Sequence, residues 1–322
     1  MELNLNIKTK HNLLAFSAGI DSTALFFLLE QNHIPFDIIM VNYGLRAQSS
    51  DEVNYAKYLS EKFKKRLFIE NYPKDRKFNQ KLGRDFRYNF FDKICKESNY
   101  QTIITAHQLN DKLEWFMMQL SKGAGLLELM SMQKSYKKDG IYHLKPLLDI
   151  SKKELLDYLE NKNIRYFIDI SNKDIKYKRN YIRENFTDDF LKLYQDGIKN
   201  SFKYLENDLS LLTNFETKVE KQQQLTIIKY NHINIQQIIW LIDKELKSRG
   251  LIISFKTKEL LKTENELVIS HKFAVVYDKK ILWIAPYSKT VIPKNIKEIY
   301  RVQKYPKLIR PYLYDINFDK II

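Results

Sequence analysis

A few short stretches of this chain carry side chains whose types and spacing could do chemistry. Ser17, Ala18, Gly19, Ile20, Asp21 and Ser22 join an apolar run, Leu13 to Phe16, to a segment of helical density that opens on Ser22 and Thr23. A small-residue turn between a strand and a helix leaves backbone N–H groups unpaired, with the positive end of the helix dipole behind them. That is an anion cradle, and phosphate is its usual occupant. The order Ser-x-Gly-x-Asp-Ser lacks both the lysine of a Walker loop and the three-glycine spacing of a dinucleotide fold. Further along, His107, Asp111 and Glu114 fall at i, i+4 and i+7 on one helical face. A histidine and two carboxylates so placed can hold Mg2+ or accept protons. The same residues also read as a helix cap, at Asn110 or Asp111, with Glu114 a solvated side chain. Basic residues cluster too. Lys173, Lys176, Lys178, Arg179 and Arg183 interleave with Tyr177 and Tyr181, and Lys289, Lys294, Lys297, Arg301, Lys304, Lys307 and Arg310 face only Glu298. Lys and Arg neutralise phosphates and Tyr stacks on splayed bases, so both clusters suit a nucleic acid; a solvated basic face is the alternative.

The elements that must position these groups follow from periodicity. Leu13–Phe16, Phe36–Val41, Arg66–Glu70 and Thr102–Ala106 read as strands, separated by helical periods at Asp51–Phe63, Gly83–Lys96 and Asp111–Leu120. Such alternation predicts an α/β fold, a parallel sheet with helices on both faces. Ligands of open parallel sheets bind beyond the carboxyl ends of the strands, where the topology reverses. The residues leaving those ends are Ser17–Ser22, Asn42 to Arg46, and Ala106 to Asp111. Ser151 and Glu154 form a capping-box signature for a helix over Lys152–Leu159. From about Asn185 the pattern changes to helical stretches, Phe190–Lys221 and Asn234–Lys247, the second ended by Gly250. A strand-like segment, Phe273–Ile284, holds a central Asp-Lys-Lys that suggests a hairpin. The expected division is therefore a catalytic α/β domain over residues 1–185 and a smaller, mainly helical region with a terminal β element over residues 186–322.

Composition bounds the function classes. At 322 residues, 44% hydrophobic and 13% aromatic, the chain can bury one good core and room for a second. A formal charge of +15 favours a polyanionic partner. Cys95 is the only cysteine, which excludes a disulfide framework, a zinc knuckle or an iron–sulfur cluster built within one chain. The first residues do not read as a signal peptide, and no apolar run approaches about 18 residues. A cytoplasmic protein with no membrane partner is expected.

The Ser17–Ser22 loop resembles the S-G-G-x-D-S loop of the N-type ATP pyrophosphatases, which split ATP between the α and β phosphates. Later blocks make the resemblance narrower. V-N-Y-G-L-R (Val41 to Arg46) is similar to the V-N-H-G-L-R of tRNA(Ile)-lysidine synthetases, and G-R-D-F-R-Y (Gly83 to Tyr88) to their A-R-x-x-R-Y helix. T-A-H-Q-L-N-D-K-L-E (Thr105 to Glu114) resembles T-A-H-x-x-D-D-x-x-E, and K-G-A-G-L-L-E-L (Lys122 to Leu129) resembles R-G-x-G-L-x-G-L. K-P-L-L-D-I-S-K-K-E-L (Lys145 to Leu155) is similar to R-P-L-L-x-x-x-R-x-E-I. I-D-I-S-N (Ile168 to Asn172) with K-R-N-Y-I-R (Lys178 to Arg183) is similar to the D-P-S-N and R-N-x-I-R pair. The resemblance covers residues 13 to 185.

What the resemblance implies is an adenine nucleotide alpha hydrolase-like, Rossmann-like fold and a two-step ligation. ATP adenylates the carbonyl oxygen at ring position two of the wobble cytidine in a CAU-anticodon tRNA(Ile), and the ε-amine of free L-lysine then displaces AMP. ATP and Mg2+ are the implied cofactors. The Ser17–Ser22 loop would hold the phosphates, Asp21 would help place the metal, with Asp111 the other metal candidate, and Arg84 and Arg87 would face the α-phosphate. His107, Asp111 and Glu114 would arrange nucleotide and base, one carboxylate would bind or deprotonate the lysine amine, and Arg183 would reach phosphate or tRNA. The tRNA contacts fall to Lys176, Lys178, Arg179, Arg183, Lys297, Arg301 and Lys304. Departures stand at Ala18 (for Gly), Tyr43 (for His), Asn110 (for Asp) and Ile170 (for Pro). Alanine fits at position 18 only with a negative φ, so a slightly tighter cradle is expected. Another tRNA-modifying or amidating ATP pyrophosphatase, or a degenerate RNA-binding member, is the competing reading, and association into a homodimer is left open.

Overall fold

The computed structural model describes residues 11–45, 48–73, 75, 77–168 and 178–318. The chain separates into two compact units, Met1–Asn207 and Asp208–Ile322.

In the first unit β1 (Asn12–Ala15), α1 (Ile20–Gln31), β2 (Asp37–Asn42), α2 (Ser49–Lys62) and β3 (Leu67–Asn71) build outward in one direction. The chain then crosses back through α3 (Gln80–Glu97) to β4 (Thr102–Ile104), followed by α4 (Leu109–Leu120) and the short α5 (Leu126–Leu129). A hairpin, β5 (Ser135–Lys138) and β6 (Ile141–Leu144), leads to α6 (Lys152–Asn161). The resulting six-stranded sheet has the order β3-β2-β1-β4-β6-β5. All neighbours are parallel except the β5 edge. The topology therefore reverses between β1 and β4, where an open sheet leaves its ligand crevice.

The strands are short apolar runs because both faces are covered. On one face Leu14, Ile38 and Ile104 pack with Leu25, Leu28 and Leu29 of α1, Leu59 of α2 and Leu155 and Leu159 of α6. On the other, Leu13, Ile39 and Ile103 pack with Phe90, Phe91 and Cys95 of α3. Ser151 caps α6 and Glu154 closes the expected capping box. The β5–β6 hairpin turns on Asp139 (φ 50°) and Gly140 (φ 86°), a two-residue left-handed turn.

After α7 (Lys178–Ile182) and one π-helical turn, Arg183–Thr187, comes α8 (Asp188–Thr213). The expected helix from Phe190 to Lys221 thus stops at Thr213, and Thr217–Gln222 is a strand, β7. Pairing with β8 (Leu225–Tyr230) overrides the helix propensity of the Lys and Glu residues there. The first unit extends past residue 185 because α4 is tied to the segment beyond it. Lys112 Nζ reaches Glu206 at 2.5 Å, Asn110 Nδ2 donates to Asp188 at 2.9 Å, and Phe116 meets Phe202 at 5.5 Å.

The second unit continues with α9 (Ile235–Ser248), α10 (Phe255–Thr263), β9 (Glu266–Ile269), β10 (Phe273–Tyr277), β11 (Ile281–Pro286), α11 (Lys294–Val302) and α12 (Arg310–Asp315). Its β element is a five-stranded antiparallel sheet, β7-β8-β11-β10-β9. The Asp-Lys-Lys hairpin is present: the Asp278 carboxylate accepts from the N–H groups of Lys280 and Ile281 at 2.7 and 2.8 Å. Alternate strand residues serve opposite cores. Val275, Leu282 and Ile284 face α9 and α10, while Val276, Trp283 and Ala285 face Tyr300, Tyr305, Ile309 and Leu313.

Candidate active site

The loop after β1 opens directly onto the N-terminus of α1. Gly19 is the extended N-cap of α1, which begins at Ile20, so the N–H groups of the first turn have no intrahelical acceptors. Ser22 Oγ braces the loop, accepting from Ser17 N–H at 3.2 Å and lying 3.2 Å from Ser17 Oγ. Ala18 departs from expectation: its φ is 60°, in the left-handed region. The loop needs that turn because the Ala18 carbonyl accepts from Phe167 N–H at 2.9 Å, and the Ala18 methyl is fully buried. A β-carbon in this conformation costs about 1 kcal/mol. The cradle keeps the shape a glycine would give it rather than tightening.

Asp21 lies in the first turn of α1, and its Oδ1 is buried without a hydrogen-bond partner. Burial, reinforced by the Asp111 carboxylate, pushes it up to about 7, against the opposing pull of Lys152 and Arg183. A dry carboxylate oxygen awaiting a cation suits a hard divalent ion. Among the described residues no group of three or more His, Cys, Asp or Glu side chains forms a metal cage, so substrate oxygens and water would have to complete the shell. Asp111 is less free. Its Oδ2 accepts from Gln108 N–H at 3.0 Å in a capping box, and its Oδ1 is paired with Arg179.

The loop after β4 places His107 beside the switch point. Its Nδ1 lies 2.9 Å from Thr105 Oγ1. Burial and the surrounding cations Lys145, Arg179, Arg87 and Arg84 hold the imidazole down to about 3, so it is neutral at physiological pH. When the Thr105 hydroxyl donates to the Leu144 carbonyl, 3.4 Å away, Nδ1 carries the proton and Nε2 is left as an acceptor. The cap of α4 is Gln108, not Asn110 or Asp111. Asn110 is a crosslink: its Oδ1 accepts from Lys152 N–H at 3.1 Å while its Nδ2 serves Asp188.

Glu114 is the fully buried centre of the second constellation rather than a solvated side chain. Arg183 grips it through Nε at 2.6 Å and Nη2 at 3.0 Å, and Arg179 Nε adds a contact at 2.7 Å. Arg179 and Arg183, expected to meet tRNA, thus spend their guanidinium groups on Glu114 and Asp111. Of the other expected tRNA contacts, Lys176 lies outside the described residues; so do Ile170 and Arg46 of the sequence blocks. Lys178 is exposed and donates to Ser121 Oγ at 2.9 Å. Lys297, Arg301 and Lys304 are exposed in the second unit, Arg301 being paired with Glu298 at 2.6 Å.

Arg84 and Arg87 reach the carboxyl edge because α3 runs antiparallel to the strands it precedes. Tyr43 fixes the start of that helix, donating its hydroxyl to the Gly83 carbonyl at 3.1 Å and packing on Phe78. A β-carbon at Gly83 would sit 2.7 Å from Phe78, so glycine is what lets the two approach. Lys145, at the end of β6, joins the same cationic side and was missed as a site residue; its place in the K-P-L-L block, next to a strand end, was the available signal.

Residues 2–190 match the PP-loop domain family. Over 315 residues the chain is 44% identical to the tRNA(Ile)-lysidine synthase of Campylobacter jejuni (strain RM1221), covering 97% of this chain and 95% of that protein. This chain belongs to the tRNA(Ile)-lysidine synthase family. The tRNA(Ile)-lysidine synthase of Helicobacter pylori (strain ATCC 700392 / 26695) is 38% identical, over 96% of this chain and 90% of the relative. Among solved structures, the U34-tRNA thiolase NcsA from Methanococcus maripaludis shares the fold, with a TM-score of 0.50 at 20% identity over 63% of this chain and 74% of that one. Against the lysidine synthase pattern the departures now have physical readings. Ala18 keeps the glycine conformation, Tyr43 positions α3, and Asn110 supplies the amide that faces Asp188.

Proposed function

We infer that this chain uses ATP to join free L-lysine to the wobble cytidine of the CAU-anticodon tRNA(Ile). The observation that carries the reading is the pairing, across the β1–β4 switch point, of an anion cradle with the His107–Asp111–Glu114 face in a chain that belongs to the lysidine synthase family. In the first step the cytidine O2 attacks the α-phosphorus, and pyrophosphate leaves. The Ser17–Ser22 backbone holds the phosphates, and Arg84 and Arg87 balance the charge gathering on the transferring group. In the second step the lysine ε-amine attacks C2, AMP departs with the O2 oxygen, and the amine loses its proton.

Only the neutral amine is nucleophilic, so a carboxylate must take up or orient that proton. Glu114 is an anchor for two arginines, its side chain fully inaccessible, whereas Asp111 keeps an accessible edge. Asp111 is therefore assigned to the incoming amine, and the neutral His107 to a hydrogen bond with nucleotide or base. Asp21 is the residue to hold Mg2+, which when bound neutralises the phosphate charge. Contacts to tRNA are assigned to Lys176, Lys178, Lys297 and Lys304, the last two on the second unit, whereas Arg301 is paired with Glu298.

Incubation with ATP, Mg2+, labelled lysine and the CAU-anticodon tRNA(Ile), followed by nucleoside analysis, tests this. Lysidine is the expected product; AMP release without label in the tRNA would overturn the reading. A thiolase reading finds no support in Cys95, which is buried and whose thiol burial pushes up to about 12.

A further inference from the structure

Lys145 has no part in the scheme above, yet its surroundings are built. It follows β6 at the carboxyl edge of the sheet, next to β4, and is 9% exposed. Its Nζ lies 4.4 Å from the centre of the Tyr136 ring and 3.3 Å from the Gln133 carbonyl. Tyr136 stacks on the buried His143 at 4.6 Å with the rings 3° from parallel, and His143 lies 6.3 Å from Tyr88. Tyr88 in turn carries the guanidinium groups of Arg84 and Arg87 at 5.3 and 5.5 Å. Arg87 Nε is buried with no hydrogen-bond partner. One aromatic layer, Tyr136–His143–Tyr88, therefore supports three cations, none of them ion-paired with a described carboxylate.

Three like charges on one layer repel, and burial strips Lys145 of the water that would screen them. The consequence is visible on Lys145 itself: burial, with Arg84 beside it, lowers its ammonium to about 8. Cation–π contact holds the groups in place but does not cancel their charge. An anion does.

We propose that Lys145 is a phosphate-binding residue, forming with Arg84 and Arg87 a cationic layer that grips a phosphate oxyanion at the carboxyl edge of β4 and β6. The inference rests on the lysidine synthase reading for the identity of that phosphate, which belongs either to the nucleotide or to the tRNA backbone. Tyr136 and His143 are positioning residues that act through Lys145.

The test uses the full chain with Lys145→Met and Lys145→Arg. Binding of the non-hydrolysable α,β-methylene-ATP should weaken about tenfold in Lys145→Met, the value of one charge-assisted contact, and should hold within about threefold in Lys145→Arg, which keeps the charge. Unchanged nucleotide binding with a log–log salt slope for tRNA(Ile) reduced by about 0.9 assigns the phosphate to the tRNA instead. A second measurement needs no variant: acetylation of Lys145 in the wild type, read by mass spectrometry, should be blocked by α,β-methylene-ATP or by tRNA(Ile). No protection by either overturns the proposal, as does a Lys145→Met variant whose only change is a raised KM for lysine. Absence of lysidine from the wild type, with protection intact, would instead overturn the proposed function and leave the phosphate site standing.

Discussion

Replacing Asp21 by Asn should stabilise the fold while abolishing ligation. The carboxylate moves from an ordinary value of 3.8 to about 7 in the folded protein, chiefly through burial. Between those values the folded state holds a proton that the unfolded state has lost. Wild-type stability therefore falls as pH rises through this window and levels off above about 7. Roughly three units at 1.36 kcal/mol each gives an upper figure of about 4 kcal/mol. Local relaxation and entry of water reduce that figure, and an uncharged amide still lacks a partner for its buried atom, so about 2 kcal/mol is expected. Urea midpoints of wild type and Asp21→Asn, compared from about pH 4 to pH 8 without divalent ions, read the effect. The curves should meet at the acid end and diverge steadily through neutrality, the variant becoming the more stable protein. Added Mg2+ should restore stability to the wild type alone. Parallel curves, or a variant less stable at pH 8, would refute the claim that Asp21 is a desolvated carboxylate awaiting a cation.

Glu114→Gln should cost about 3 kcal/mol or more, because it leaves Arg183 beside a neutral, fully buried side chain and Arg179 with Asp111 alone; denaturant unfolding at pH 7 measures it, and a loss below about 1 kcal/mol would count against the anchor. Asn110→Asp should destabilise by about 2 kcal/mol, since the new carboxylate would face Asp188 Oδ1 where an amide now donates at 2.9 Å. Adding Asp188→Asn should recover most of that loss in a double-mutant cycle. Changing Lys297, Arg301 and Lys304 together to Gln should flatten the salt dependence of tRNA binding by about 1.8 rather than about 2.7, because Arg301 already spends its charge on Glu298. Filter binding across salt concentrations reads the slope, and nucleotide affinity should not change.

Much of the first unit was legible because its signals are local. Apolar runs bounded by turns located β1 to β4 within a residue or two, the Ser151–Glu154 box located α6, and Asp-Lys-Lys located the β10–β11 hairpin. The β5–β6 hairpin carries the same kind of local signal in Asp139–Gly140, which went unused. The β7 strand was beyond reach, since Thr217–Gln222 becomes a strand only by pairing with β8. Within the site, spacing brought His107, Asp111 and Glu114 to one face but said nothing of their partners. Arg179 and Arg183 lie more than sixty residues away in the chain, and only the packing of α7 on α4 shows that they close on Glu114. The left-handed Ala18 was likewise hidden, because alanine gives no sign of a conformation that its backbone partner, Phe167, imposes.

The grip of Arg179 and Arg183 on Glu114 also sets an order of events during synthesis. All six strands of the first sheet are made by Leu144, so the sheet has its full set of neighbours well before α7 leaves the ribosome. Until Arg179 emerges, however, the Glu114 carboxylate has neither of its cations, and until Arg183 follows it has only one, so it must stay in water. The nascent chain thus passes through a stage with a complete sheet and an incomplete Glu114 cluster, which closes only when both guanidinium groups have arrived. A growing chain that has already made the Ser17–Ser22 loop therefore still lacks the closed Glu114–arginine cluster.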